Sequence, residues 1–141
     1  MNFKLELVLI PVADVDRAKT FYMERAGFGL HVDHRAGDDF RVVQLNPPGS
    51  ACSIAIGTGI TDAEPGSVRG VHLVVGDIEA ARADLVARGL EVSEVRHLAS
   101  SGTWMPGAHP EHTDYNSFAD FSDPDGNTWV LQEREYGKPQ E

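Results

Sequence analysis

Cysteine is nearly absent: Cys52 stands alone, so the chain forms no internal disulfide. Basic residues are scarce too. Twelve Lys and Arg face 22 Asp and Glu, a formal net charge of −10, and that sign repels phosphate backbones and anionic bilayers. Neither nucleic acid nor a membrane surface is an expected partner. No long apolar run and no signal-like start appears, which makes a cytoplasmic protein the expectation. What remains is ordinary for a soluble globular protein. The 141 residues are 41% apolar and 24% charged, enough for one domain, or two small fused repeats, with a real core.

The clearest local signal lies near the end, in Phe121-Ser-Asp-Pro-Asp-Gly-Asn-Thr-Trp-Val-Leu-Gln-Glu133. Two apolar runs flank a turn in which Pro124 presets its φ, Asp123 and Asp125 bond nearby amides, and Gly126 tolerates positive φ. This predicts an antiparallel hairpin. Its second strand turns Thr128, Val130 and Gln132 to one side and Trp129, Leu131 and Glu133 to the other.

From the N-terminus, Leu5 to Val12 reads as a strand covered on both faces, with Pro11 near its end. Asp14 caps a helix carrying Val15, Ala18, Phe21, Tyr22 and Ala26 at helical spacing, and Gly27 closes it. Strands follow near Phe28 to His34, Phe40 to Leu45 and Cys52 to Ile56. Thr58 to Ser67 reads as a linker. Then the pattern restarts: a strand from Gly70 to Val75, a helix capped by Asp77 and closed by Gly89, strands over Leu90 to Leu98 and Tyr115 to Ser122, and the hairpin. Asp77 lies 63 positions after Asp14 and Gly89 lies 62 after Gly27, so two units of one architecture share the chain. The division expected is a first βαβββ module over 1–60, a linker over 61–69, a second module over 70–135 and a loose tail over 136–141. Residues 99–114 form a long loop, expected to act as a lid.

The doubled βαβββ pattern, with Val12-x-Asp14 and Phe21-Tyr22 before Gly27-Phe28 in one copy and Asp123-Pro-Asp-Gly-Asn127 in the other, resembles the vicinal oxygen chelate superfamily. That group holds glyoxalases, extradiol dioxygenases and bleomycin-resistance binding proteins. The resemblance implies an α+β fold in which two βαβββ modules curve into an open cup, formed within one chain or between two, and a homodimer. In the metal enzymes of that group, ligands stand on the first strand of a module, seven residues before the Asp of V-x-D, and four residues after the Gly of DPDG. Here those positions are Leu7, Gly70 and Val130, none of which offers a side-chain lone pair. No metal and no other cofactor is therefore expected.

By the same resemblance His72 points into the cup, as ligand contact or as acid-base catalyst. Alternation back from the hairpin groups Asp120 with Asn116 and Phe118 on the face that the resemblance turns to the cup, where Asp120 beside His72 would hold the imidazole in one tautomer. Gln132 shares a face with Val130 and reaches the rim; a one-residue register error would bring Trp129 and Glu133 there instead. Trp104 and Met105 give the 99–114 loop apolar surface for a ligand. The His109-Pro-Glu-His112-Thr-Asp114 spacing matches no closed metal site. His31 and His34 face opposite ways, His97 reads as solvent-facing, and Cys52 as core. The expected function is metal-free binding of a small, partly apolar molecule by His72, Asp120, Gln132, Phe118 and Trp104, with sequestration of a toxic or antibiotic-like compound as one use. The alternative is an enzyme of the same fold: a metal-free lyase or isomerase using His72 and Asp120, or a metal-dependent one if the ligand positions are misaligned.

Overall fold

A computed structural model of the chain describes residues 1–139 and divides into two compact units. The first comprises Met1–Val68 with the turn Asp123–Asn127; the second comprises Arg69–Ser122 and the chain from Thr128 onward. Gln140 and Glu141 of the expected tail lie outside the described residues. Among those described, no helix is long and apolar enough to cross a membrane.

In the first unit β1 (Leu7–Leu9), β2 (Gly29–Arg35), β3 (Arg41–Asn46) and β4 (Ser53–Thr58) form one open sheet in the order β1-β4-β3-β2, with β1 parallel to β4. The Asp14 carboxylate accepts from Arg17 N at 3.0 Å and starts α1 (Val15–Thr20). The helix continues as a π-helical turn over Phe21–Arg25, closed by Ala26 N to Phe21 O, and ends at Gly27, whose φ of 77° is left-handed. Ala18 and Tyr22 are buried, as are Ile10, Val43, Leu45, Ile54 and Ile56 of the sheet. The first strand is shorter than expected and is not covered on both faces. Only Leu7–Leu9 pairs, and Leu7 and Leu9 are each 37% exposed.

The turn at 123–127 packs into this unit. Asp123 is buried; its Oδ2 accepts from the Tyr22 hydroxyl and from Asn127 Nδ2, both at 2.7 Å, and its Oδ1 from the amides of Asp125 and Asn127. Asn127 Nδ2 also donates to Pro11 O, and Asp125 Oδ1 accepts from Ala13 N. The presumed linker is pinned as well. Gly66 N donates to Pro11 O at 3.1 Å, and Gly66 adopts a φ of +80° with its Cα against the Asp125 carbonyl.

In the second unit β5 (Val71–Val75), β6 (Arg96–Leu98), β7 (Trp104–Pro106), β8 (Phe118–Ser122) and β9 (Thr128–Glu133) form a second open sheet in the order β5-β9-β8-β6-β7. Strand β5 runs parallel to β9 and the other pairs are antiparallel. Asp77 caps α2 (Ile78–Ala87) through Ala80 N, and Gly89 follows with φ 91°. Four expectations change here. Leu90 to Leu98 pairs as a strand only from Arg96, because the Ser93 hydroxyl rather than a ladder carbonyl takes Asp120 N. Tyr115 to Ser122 starts only at Phe118, since Tyr115 adopts a left-handed φ of 66°. The 99–114 segment is not all loop: it turns at Gly102 and returns as β7 along β6. His97, expected at the surface, is buried, its Nδ1 2.8 Å from Gly107 O, because alternation along β6 turns Arg96 and Leu98 outward instead. Cys52 is half-buried at the start of β4 rather than fully in the core. After β9, Tyr136 stacks on His112 with ring centroids 3.6 Å apart, which ties down the start of the expected tail.

Candidate functional site on the open face of the second sheet

Strand register decides which side chains of the second sheet share a face. His72 pairs with Val130 and Val130 with Asp120, one row across three strands. The next row runs Val74, Gln132, Phe118, Arg96, Pro106, and Leu98 with Trp104 lies beyond. The opposite face carries Ala119, Phe121, Trp129 and Leu131, all buried, as are Ile78 and Leu85 of α2, the helix that packs there. All five expected ligand contacts, His72, Asp120, Phe118, Gln132 and Trp104, therefore lie on one open face. The hairpin register holds: Glu133 faces inward and is 1% exposed, its Oε2 accepting from Ile78 N at the start of α2 and its Oε1 2.7 Å from His112 Nδ1.

His72 and Asp120 do not pair. Val130 stands between them in the row, His72 Nδ1 lies 2.7 Å from Gly70 O, and Asp120 meets Arg96 in a two-pronged ion pair at 3.0 and 3.2 Å. A carbonyl accepts but cannot donate, so Nδ1 of His72 is the donor in this contact, and in the neutral ring Nε2 is left as the acceptor. Trp104 stands edge-on to Phe118, centroids 5.6 Å apart, and the Arg96 guanidinium lies 5.4 Å from the Trp104 ring and 5.9 Å from Phe118. Gln132 Nε2 donates to Tyr115 O at 3.1 Å. Asn116 bonds both the amide and the carbonyl of Leu98, closing the rim.

Sequence reasoning missed Arg96, Val74 and Leu98. Alternation from His72 along β5 would have found Val74. Arg96 needed the β6–β8 register, which no turn residue announces. A second concavity, about 310 Å³ within the first unit, is lined by residues 11–13, 57–59 and 61–65 but offers no imidazole, amide or aromatic side chain.

The metal set of the resembled enzymes does not fit. Leu7 is a hydrocarbon on β1, Gly70 has no side chain, and Val130 fills the row between His72 and Asp120. Among the described residues no group of three His, Cys, Asp or Glu could hold a metal ion. The polar side chains of the 109–114 loop already have partners: His112 Nδ1 lies 2.7 Å from Glu133 Oε1, His109 Nδ1 accepts from Glu111 N, and Asp114 Oδ1 accepts from Glu135 N.

Two units of one strand–helix–strand order, each an open sheet, define a class of duplicated α+β proteins built to present sheet faces. Within that class the chain belongs to the Glyoxalase/Bleomycin resistance protein/Dioxygenase superfamily, whose profile matches residues 4–131. It is similar to TnmS3, an antibiotic binding protein from Streptomyces sp. CB03234, at 32% identity over 94% of this chain and 96% of that one, with a TM-score of 0.72. A glyoxalase/bleomycin resistance protein from the same Streptomyces is 33% identical over 92% and 99%, TM-score 0.69. A superfamily member from Sphaerobacter thermophilus DSM 20745 is 26% identical over 94% and 98%, TM-score 0.72. No curated protein matches the chain.

Proposed function

We propose that this protein binds a small, partly apolar organic molecule on the open face of its second sheet, without a metal, and that its use is to sequester an antibiotic-like or otherwise toxic compound. The observation that carries the reading is that single face, where Trp104, Phe118 and Val74 offer apolar surface and His72, Gln132 and the Arg96–Asp120 pair offer directed polar atoms. Such a mixture suits a ligand that is flat and apolar in its body and polar at its edges. The likeness to an antibiotic binding protein supports sequestration as the use. The donor-poor positions 7, 70 and 130 support binding without a metal. Two copies associate, a reading supported by the N-terminal stripe of Phe3, Leu5, Leu7 and Leu9, which are 90%, 72%, 37% and 37% exposed in the single chain.

The two tryptophans make the test simple. Trp104 is 52% exposed and Trp129 is 1% exposed, so a molecule on the open face quenches the first and not the second. A thermal-shift screen of aromatic natural products, followed by fluorescence titration, should give saturable quenching that vanishes in Trp104→Phe and survives EDTA. Quenching that persists in Trp104→Phe, or that needs a divalent metal, would overturn the reading.

A further inference from the structure

We infer that the ligand of this face carries an anionic oxygen group, a carboxylate, sulfonate or similar acid, which docks at a corner formed by Arg134, Tyr115 and Gln132. The inference rests on the open face being the binding site and adds the charge of the molecule it takes.

The charges along the face lead there. Arg96 is cancelled by the two-pronged contact with Asp120, which leaves that end nearly neutral. Arg134 lies two residues beyond Gln132, and Arg134 N donates to Val75 O at 2.9 Å, so the parallel ladder continues past β9 and turns Arg134 to the same side as Gln132. Its guanidinium has a poor carboxylate partner: Glu135 Oε1 at 3.7 Å, with both side chains 47% exposed. Its other contact is the π face of Tyr115, 5.5 Å from the ring centroid. A planar donor fork resting on a ring, with its charge barely matched, suits an incoming acid group.

The backbone around this corner is also unusual. The non-glycine residues of positive φ among those described are His112, Tyr115 and Glu135, at 49°, 66° and 56°; Glu135 follows Arg134 in sequence and the Tyr115 ring lies under its guanidinium. For an aromatic residue such a conformation is strained and persists only when neighbours hold it. Here the neighbours are known. Tyr115 N donates to Glu133 O, Gln132 donates to Tyr115 O, and Glu135 N donates to Asp114 Oδ1. The strain places the phenol under Arg134 and half-exposed, available to donate to the same acid group. At the opposite end of the face His72 Nε2 can accept a hydrogen bond from a ligand hydroxyl, four residues of ladder or about 13 Å from the Arg134 row. The geometry thus points to an elongated amphiphile with a hydroxyl at one end and an acid at the other.

A matched pair of dyes tests the inference: 1-anilinonaphthalene-8-sulfonate and its uncharged parent N-phenyl-1-naphthylamine, each titrated by dye emission and Trp104 quenching. The protein carries a net charge of −10, so bulk electrostatics disfavours the sulfonate and any preference for it must be local. Wild-type protein should bind the sulfonate about tenfold more tightly than the neutral dye. Arg134→Gln should abolish that preference with the neutral dye unchanged, and Tyr115→Phe should reduce it. Equal affinity for both dyes, with Trp104 quenched, overturns the acid corner and leaves the open face standing. An Arg134→Gln variant that weakens both dyes alike also overturns it. Quenching by neither dye overturns both readings.

Discussion

Replacing Tyr22 by Phe removes one oxygen from the buried network around the 123–127 turn and nothing else. In the intact protein that hydroxyl donates to Asp123 Oδ2 at 2.7 Å, out of water, and a hydrogen bond to a carboxylate contributes about 1.5–3 kcal/mol. Asp123 keeps three further donors after the change, Asn127 Nδ2 and the amides of Asp125 and Asn127, so no bare carboxylate is stranded. The loss should be about 2 kcal/mol, read as a fall in the urea midpoint at unchanged slope, or as a drop in Tm of roughly 6 °C for a chain of this size. Asp123→Ala should cost about 3–5 kcal/mol, because it leaves the phenol and the Asn127 amide without their shared acceptor. In that background Tyr22→Phe should be nearly free, which gives the cycle a coupling energy close to the single-mutant loss. A Tyr22→Phe variant within about 0.5 kcal/mol of wild type would refute the claim that this contact anchors the turn.

His72→Ala should weaken binding of any ligand found on the open face about threefold to tenfold, the worth of one hydrogen bond, while leaving Tm unchanged because His72 is exposed; unaltered affinity removes it from the site. Gly66→Ala forces a side chain onto the Asp125 carbonyl at a φ of +80° and should cost about 2–4 kcal/mol by denaturant titration. Hydrogen bonds from Arg41, then from Lys19, hold the Asp33 carboxyl well below the usual carboxylate range. With the folded value depressed, the unfolded chain binds the extra proton, so this stabilisation is present above about pH 4 and is lost as the pH falls further. Asp33→Asn should therefore be less stable near neutrality and lose less on acidification than wild type, which acid titration of the urea midpoint checks.

Much of the fold was legible because its turns are written in residues with one job each. Asp14 and Asp77 accept from amides three residues on, Gly27 and Gly89 take left-handed φ, and Asp123-Pro-Asp-Gly-Asn fixes the register of the last hairpin. Once that register is fixed, alternation alone sends Val130 and Gln132 one way and Trp129, Leu131 and Glu133 the other. Where no such residue stands, the reading failed. Nothing between Leu90 and Arg96 states that the Ser93 hydroxyl will interrupt the ladder, and nothing in 99–114 except Gly102 states that Trp104–Pro106 returns as an edge strand. His97 was misplaced for the same reason, since a three-residue strand carries too short an alternation to declare its inner face.

The site divides along the same line. That the candidate residues share one face was legible, because Phe118, Asp120 and Gln132 sit on strands whose alternation the hairpin fixes, His72 pairs into the same row, and Trp104 joins them through contact with Phe118. Its pairing was not. A carboxylate near an imidazole in sequence logic takes whichever cation stands closest in space, and Arg96, brought alongside by the β6–β8 pairing, meets Asp120 with two nitrogens while Val130 holds His72 a row away. That exchange changes the chemistry the face can support. A histidine oriented by a carboxylate is a candidate base, whereas one tied to a backbone carbonyl, beside a neutralised Arg–Asp pair, lacks that orienting partner and suits the hydrogen-bonding role proposed for it.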